Sequence, residues 1–149
     1  EHTFDLVAHA PAVTVLPLTA EGEVMLVSQF RLGSESDLLE LPAGMMDPGE
    51  EPAFSARREL REETGMDCED LIYLGGFYLA AGYSSEYMHC FLAKGLFLAP
   101  LEQDEDEFLS LTRIKVAELA RMAREGELQD SKTLAILPLA WPYLAEFMG

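Results

Sequence analysis

The sequence predicts a single domain of mixed α/β (α+β) class, in which helices flank a mixed β-sheet. Apolar and β-branched residues form several short runs, whereas residues 52–64 have the 3.6-residue period of a helix. The 149 residues suffice for one hydrophobic core, and they contain no repeat, low-complexity tract or linker that would divide the chain. Residues 1–149 are therefore expected to form one domain.

The predicted strands begin with a hairpin. A β-rich run contains Val13, Val15 and Leu18, the Glu21-Gly22 pair favours a turn, and residues 23–30 form the second strand. Further along the chain, short strands are predicted at residues 38–43, 71–80, 87–93 and 108–114. The polar residues between these runs are expected to form loops.

Three helices are predicted, the first at residues 52–64. Ala53, Ala56 and Leu60 fall on one stripe of this helix, and Gly65 follows as its C-terminal stop. The second helix is predicted at residues 116–124, and the third starts at Ser131, which is expected to be its N-cap. Before the first helix, residues 47–50 have Pro and Gly at their two central positions, which favours a type II turn.

The composition excludes several classes of partner. The 27 Asp plus Glu residues against 10 Lys plus Arg give a net charge of −17. Such a surface repels nucleic acid and anionic membranes, so an anionic substrate would need a bound cation to bridge it to the protein. Cys68 and Cys90 are too few for a disulfide framework and are predicted to be packed thiols of a cytoplasmic protein. Because the chain begins with Glu1 rather than Met, a longer natural N-terminus is left open.

Three glutamates of the first helix form a cluster of like charge. Glu59, Glu62 and Glu63 are related by i, i+3 and i+4, so they lie on one helical face. Arg58, four residues before Glu62, can offset one of these charges but not all three. Carboxylates grouped in this way suit a hard divalent cation such as Mg²⁺. Taken alone, the three residues are more typical of a solvent-exposed acidic face than of a metal site.

A wider pattern surrounds these glutamates. It runs from a glycine through five residues to a glutamate, then through seven residues to Arg-Glu-Leu-x-Glu-Glu-x-Gly-Met. This pattern resembles the Nudix box, G-x5-E-x7-R-E-U-x-E-E-x-G-U, where U is apolar. The fixed positions are Gly44, Glu50, Arg58, Glu59, Glu62, Glu63 and Gly65. The resemblance implies an α/β/α sandwich that hydrolyses the diphosphate of a nucleoside diphosphate linked to another group.

The resemblance also implies a metal site for Mg²⁺ or Mn²⁺. Glu62 and Glu63 match the principal metal ligands of the family, and Glu59 matches a further ligand or local base. The backbone carbonyl of Ala43 matches another ligand, and Gly44 lets the loop backbone approach the site.

Further catalytic roles are implied for charged residues around the helix. Arg58 and Glu50 match residues that orient the ligands, paired with each other or with those ligands. The acidic run at residues 102–108 resembles the loop that supplies the catalytic base in ADP-ribose enzymes, with Glu105 the first candidate and Glu107 the second. The alternative is a solvated acidic loop without a catalytic role.

The flanks resemble the ADP-ribose pyrophosphatase branch of the family. The stretches VSQFR (residues 27–31) and LELPAG (residues 39–44) match its run-in to the box. The resemblance implies that Arg31 contacts phosphate and that Glu40 helps build the substrate side. A solvent-facing arginine at a strand end and a capping glutamate are the alternatives.

The segment AAGYSSEYMHCFLA (residues 80–93) resembles a second stretch of this branch. Gly82 and Glu86 match the branch, which implies that Glu86 contacts metal or a substrate-bound water. Tyr83 is predicted either to stack on a base or ribose or to be a half-buried strand aromatic. Ala81 stands where the branch has a marker proline. The stretch at residues 126–140 resembles the start of the branch's last helix, and its role is interpreted as architecture of the fold rather than catalysis.

Together these residues predict a Nudix hydrolase that cleaves ADP-ribose or another nucleotide sugar to a nucleoside monophosphate and a sugar phosphate. Members of this branch are often homodimers, so a homodimer is expected. A triphosphate-cleaning Nudix hydrolase is one alternative. A Nudix-fold nucleotide-binding regulator without turnover is the other, although such proteins usually lose glutamates that this chain retains.

Overall fold

The computed structural model describes residues 2–101 and 110–149. In chain order the elements are β1 (Ala12–Pro17), β2 (Glu23–Arg31), β3 (Ser36–Glu40), β4 (Ala43–Met45), α1 (Pro52–Thr64), β5 (Met66–Tyr78), β6 (Tyr87–Leu98), β7 (Ser110–Lys115), α2 (Val116–Glu125) and α3 (Ser131–Leu144). A short 3₁₀ helix, Ala145–Phe147, follows α3. Helices and strands are thus mixed along the chain, as the sequence predicts.

The strands form two sheets. The first has the order β4-β1-β6-β5 and is mixed, because β1 runs parallel to β6 while the other pairs are antiparallel. The second, β3-β2-β7, is antiparallel throughout. The predicted mixed sheet is confirmed, and an antiparallel sheet that the sequence analysis did not separate accompanies it.

Alternation along β1 divides the core into two parts. Val13 and Val15 pack with Leu60 of α1 on one face of the mixed sheet. Ala12 and Leu16 belong to a larger cluster on the other face, which includes residues of β2, α2 and α3. Since successive side chains of a strand point to opposite faces, this one strand holds the helical layers on either side of it.

The predicted strand at residues 38–43 is divided into β3 and β4. Leu41 leaves the ladder and donates its backbone N–H to Oγ1 of Thr133 at 3.0 Å. Pro42 has no N–H to donate, and its carbonyl accepts from the backbone of Val15 at 2.9 Å. The chain therefore passes from the antiparallel sheet to the mixed sheet at these two residues.

The ends of α1 follow the sequence signals. Pro52 stands in the first turn, and Gly65 has a left-handed φ of 73° while its N–H donates to the carbonyl of Arg61. The turn before the helix is also confirmed. Gly49 has φ 83°, and the N–H of Glu50 donates to the carbonyl of Asp47 at 3.1 Å.

Three other boundaries differ from the prediction. The N-cap of α3 is Asp130 rather than Ser131, because the Asp130 carboxylate accepts the backbone N–H of Thr133 at 3.0 Å. Strands β5 and β6 extend further than predicted at the ends away from their connecting turn: β5 begins at Met66 and β6 ends at Leu98, because these two residues pair with each other.

The two cysteines are buried and unbonded, as predicted. Burial raises the pKa of the Cys90 thiol to about 12. None of the helices in the described ranges is long and apolar enough to cross a membrane.

Candidate active site

A cavity of about 490 Å³ is bounded by both sheets and by the start of α3. Residues from β2, β3, β4 and β6 reach its wall. Its charged and polar lining consists of His9, Gln29, Arg31, Glu40, Glu86, Asp130 and Lys132. The predicted substrate residues Arg31, Glu40 and Glu86 therefore come together here.

Strand β4 connects this cavity to the glutamates of α1. Ala43, Gly44 and Met45 all line the cavity. The Ala43 N–H donates to Oε2 of Glu63 at 3.1 Å. A Cβ placed on Gly44 would lie 2.1 Å from the carboxyl carbon of Glu59, so a side chain at this position would displace the Glu59 carboxylate.

Arg58 holds the acidic groups around α1. Its Nε and Nη2 donate to the two oxygens of Glu50 at 3.2 and 3.0 Å, which is the predicted pair. Nη1 donates to Glu59 at 2.7 Å and to Glu62 at 3.2 Å. Nη2 also donates to the carbonyl of Met45 at 3.2 Å, which ties the helix to β4.

This network shifts the pKa of Glu50. Hydrogen bonds from Arg58, and then from the hydroxyl of Ser55 and the N–H of Asp47, lower the pKa of the carboxyl from 4.5 to about 2, against the opposing effect of burial. The same pairing raises the pKa of the Arg58 guanidinium. Glu50 and Arg58 therefore remain a charged pair at neutral pH.

The chemistry of the donor set fits a hard divalent cation. Glu59, Glu62 and Glu63 offer carboxylate oxygens on one face of α1, beside the backbone of β4. Three carboxylates, those of Glu50, Glu59 and Glu62, share the single guanidinium of Arg58. In the described ranges, no three His, Cys, Asp or Glu side chains are already grouped as a metal site. Their roles as metal ligands stay predictions.

A second charged network forms part of the cavity wall. Arg31 donates from Nε and Nη2 to the two oxygens of Glu40, both at 2.7 Å. Lys132 donates to Glu40 at 2.6 Å and to Asp130 at 3.0 Å. Burial alone would raise the pKa of Glu40, but the hydrogen bond from Arg31 and the charge of Lys132 outweigh it and lower that pKa. Glu40 therefore stays ionised at neutral pH.

The predicted substrate residues near β6 separate into two groups. Glu86 lines the cavity, and its Oε1 lies 3.9 Å from Nδ1 of His9. Gly82 and Tyr83 lie in the preceding turn, outside the cavity lining. Tyr83 is 63% exposed, so it is not the half-buried strand aromatic that was one alternative, and its carbonyl accepts the N–H of Val7 at 2.7 Å. Substrate contacts by Gly82 and Tyr83 stay predictions.

Sequence reasoning gave no site role to four polar residues of this wall, among them Gln29 of β2. His9 is a lone histidine before the first strand, and no sequence signal connects it to the cavity. Asp130 and Lys132 belong to the stretch that was interpreted as architecture. The only sequence signal for a site there was the presence of polar residues at the start of a helix. The candidate bases Glu105 and Glu107 lie outside the described residues.

Comparisons with known proteins find a matching family model and relatives that cover most of the chain. The family model of the NUDIX domain matches residues 8–135. The chain is 38% identical over 131 residues to the ADP-ribose pyrophosphatase of Bacillus subtilis (strain 168). The aligned region covers 87% of this chain and 71% of that protein. It is 37% identical over 132 residues to the methanol dehydrogenase activator of Bacillus methanolicus, with the same coverages of 87% and 71%.

A solved structure is also similar over most of the fold. The crystal structure of an ADP compounds hydrolase superposes with a TM-score of 0.82 at 29% identity, covering 91% of this chain and 73% of that one. The family model covers more than half of the chain, including the stretch from Gly44 to Met66. The chain belongs to the Nudix family.

Proposed function

We propose that this protein hydrolyses the diphosphate of a nucleotide sugar, with ADP-ribose as the first candidate substrate. The products are a nucleoside monophosphate and a sugar phosphate. One observation supports this most directly: β4 borders the Arg31-lined cavity and also contacts the glutamates of α1. A diphosphate in the cavity would lie between a cationic side chain and a group suited to a metal.

The acidic face of α1 is proposed to hold Mg²⁺ or Mn²⁺. Glu62 and Glu63 are the principal ligands, with Glu59 and the carbonyl of Ala43 as further donors. A divalent cation held there supplies Lewis-acid polarisation of the phosphoryl oxygens and neutralises their charge. Arg58 orients the carboxylates, because it already donates to Glu59 and Glu62.

The remaining steps are assigned to residues of the cavity and of the acidic loop. Arg31 binds an oxygen of the diphosphate, since guanidinium groups suit phosphate oxygens and its side chain reaches the cavity. Glu86 binds metal or a substrate-bound water. Glu105, with Glu107 as the second choice, takes the proton from the attacking water. Glu105→Gln should then lower kcat by roughly 10²–10⁴-fold, with a modest change in KM.

The protein is also proposed to be a cytoplasmic homodimer. In this branch of the family, N-terminal strands of one subunit shape the substrate site of the other. The exposed apolar residues Phe4 and Leu6 near the N-terminus are in keeping with such a contact. Sedimentation equilibrium of the purified protein tests the dimer by its mass.

A panel of nucleotides tests the substrate class. ADP-ribose, other nucleoside diphosphate sugars and nucleoside triphosphates are incubated separately with Mg²⁺, and the products are identified by mass. Turnover of the diphosphate sugars at higher kcat/KM than the triphosphates supports the proposal. Preference for triphosphates would assign the cleaning activity instead, and binding without any turnover would assign a regulator.

A further inference from the structure

Lys132 stands in the first turn of α3 with only 7% of its side chain exposed, and it lines the cavity. Its Nζ donates to Oε2 of Glu40 at 2.6 Å and to Oδ1 of Asp130 at 3.0 Å. Lysine is seldom buried unless it is paired, so this placement depends on the two carboxylates. It connects α3 to a residue that lies 92 positions earlier in the sequence.

Glu40 is occupied on both of its oxygens. Oε1 accepts from Nε of Arg31, whereas Oε2 accepts from Nη2 of Arg31 and from Nζ of Lys132. The residue is 1% exposed. Glu40 is therefore built to hold its two cations rather than to accept a hydrogen bond from substrate.

Arg31 differs from its partners because 44% of its side chain is exposed. Its guanidinium has five N–H donors, and the bidentate contact with Glu40 uses two of them. That contact fixes the plane of the guanidinium at the cavity wall. Donors remain for an anionic group in the cavity.

Charge in this network is balanced. Two cations, Arg31 and Lys132, face two carboxylates, Glu40 and Asp130. Without Lys132, the two buried carboxylates would keep only the guanidinium of Arg31 as a counter-charge, and the wall facing the substrate would become negative. Glu40 would also lose one of the two cations that hold it, so it would hold the guanidinium of Arg31 less firmly.

We propose that Lys132 is a positioning residue for substrate binding: it holds Glu40, which in turn fixes the guanidinium of Arg31 towards the diphosphate. This inference rests on the proposed function. It gives a role to a residue of the stretch that sequence reasoning assigned to architecture. Lys132 acts through Arg31, so its contribution to substrate binding should disappear when Arg31 is absent.

A double-mutant cycle tests that dependence. KM and kcat for ADP-ribose with Mg²⁺ are measured for the wild type, Arg31→Ala, Lys132→Met and the double variant, at about 0.15 M salt to screen distant charges. We expect Lys132→Met to raise KM about tenfold, the usual effect of a lost charge-assisted hydrogen bond, and to change kcat by less than about threefold. In the Arg31→Ala background, the same substitution should change KM by less than about twofold.

Controls separate this role from a loss of folding. Lys115→Met removes a lysine that lies outside the cavity lining, and it should leave KM unchanged. Circular dichroism and the Tm show whether each variant is folded. If Lys132→Met does not fold, Lys132→Gln, which keeps an uncharged donor, replaces it in the same cycle.

The outcomes distinguish the inference from the proposed function. If the two substitutions multiply in their effects on KM, Lys132 acts independently of Arg31 and the inference is wrong. An unchanged KM in the folded Lys132 variant would also overturn it. If the wild type does not hydrolyse ADP-ribose or any other nucleotide sugar, the proposed function fails, and the inference fails with it.

Discussion

Gly44 brings the backbone of β4 against the carboxylate of Glu59 because it has no side chain. An added Cβ would lie 2.1 Å from the carboxyl carbon and 2.2 Å from Oε1 of Glu59. Glu59 is nearly buried and also accepts from Arg58, so it has little freedom to move away. The fixed glycine at the start of the Nudix box therefore has a direct steric cause here.

Gly44→Ala should lower the free energy of unfolding by about 1–3 kcal/mol, as overpacking of a filled site does. It should also reduce turnover, since it displaces Glu59. Gly33→Ala is the matched control, because a Cβ at Gly33 meets nothing within 4 Å and should change stability by less than about 0.5 kcal/mol. Urea unfolding of both variants makes the comparison, and equal losses of stability would contradict the steric account.

Among individual residues, the sequence predicted the members of the α1 cluster better than the residues of the cavity wall. Glu62 and Glu63 are visible from sequence because helical spacing places them three and four residues after Glu59, on the same side of the helix. Lys132 is not, because its contact with Glu40 spans 92 positions and depends on how α3 docks beside β3. Long-range contacts of this kind leave no local pattern.

Among the elements, the turn before α1 and the helix itself are joined by one ion pair. The Glu50 carboxylate accepts from Arg58 of the helix, from the Ser55 hydroxyl at 2.5 Å and from the N–H of Asp47 at 3.0 Å. All three donors favour the ionised form, which is why the pKa of Glu50 falls to about 2. The pair fixes the start of α1 and thereby the orientation of Arg58.

The pH dependence of stability should report this pair. The pKa of Glu50 is lower in the folded protein than its usual 4.5, so the carboxylate stabilises the fold above about pH 4.5 and loses this effect as pH falls towards about 2. Glu50→Gln should therefore be less stable than the wild type at pH 7, and the gap should narrow below pH 4.5. Urea unfolding in the presence of EDTA at several pH values measures the gap. A gap that stays constant down to pH 3 would contradict the shift.

The boundaries of helices and strands were predictable from sequence where a local residue preference marks them. Gly65 and the Pro-Gly turn mark α1 because their backbone preferences are intrinsic. The division of β3 from β4 was missed because the run at residues 38–43 has continuous strand character, and only the partners of Leu41 and Pro42 reveal the change of sheet. The cap at Asp130 was missed because the neighbouring Ser131 is an equally good capping residue.

In the whole molecule, which has a net charge of −17, divalent cations can act either by binding the α1 cluster or by screening the acidic surface. Mg²⁺ or Mn²⁺ that binds the α1 cluster in the folded state, and has little affinity for the unfolded chain, must stabilise the fold. At 100 times Kd the linkage is worth about 2.7 kcal/mol. Saturating Mg²⁺ should therefore raise the Tm at constant ionic strength. The Glu62→Gln/Glu63→Gln double variant should lose this response, and an equal rise in that variant would indicate screening of the surface instead.

The most direct measurement for this Nudix pyrophosphohydrolase is the identity of the products of ADP-ribose. Purified protein is incubated with ADP-ribose and Mg²⁺, and the products are separated and identified by mass spectrometry. Cleavage of the diphosphate predicts AMP and ribose 5-phosphate in equal amounts. Turnover should fall on the order of 10³-fold in Glu62→Gln and in Glu63→Gln, since each variant removes the charge of a proposed metal ligand. Intact ADP-ribose with either Mg²⁺ or Mn²⁺, under conditions where a nucleoside triphosphate is cleaved, would contradict the account.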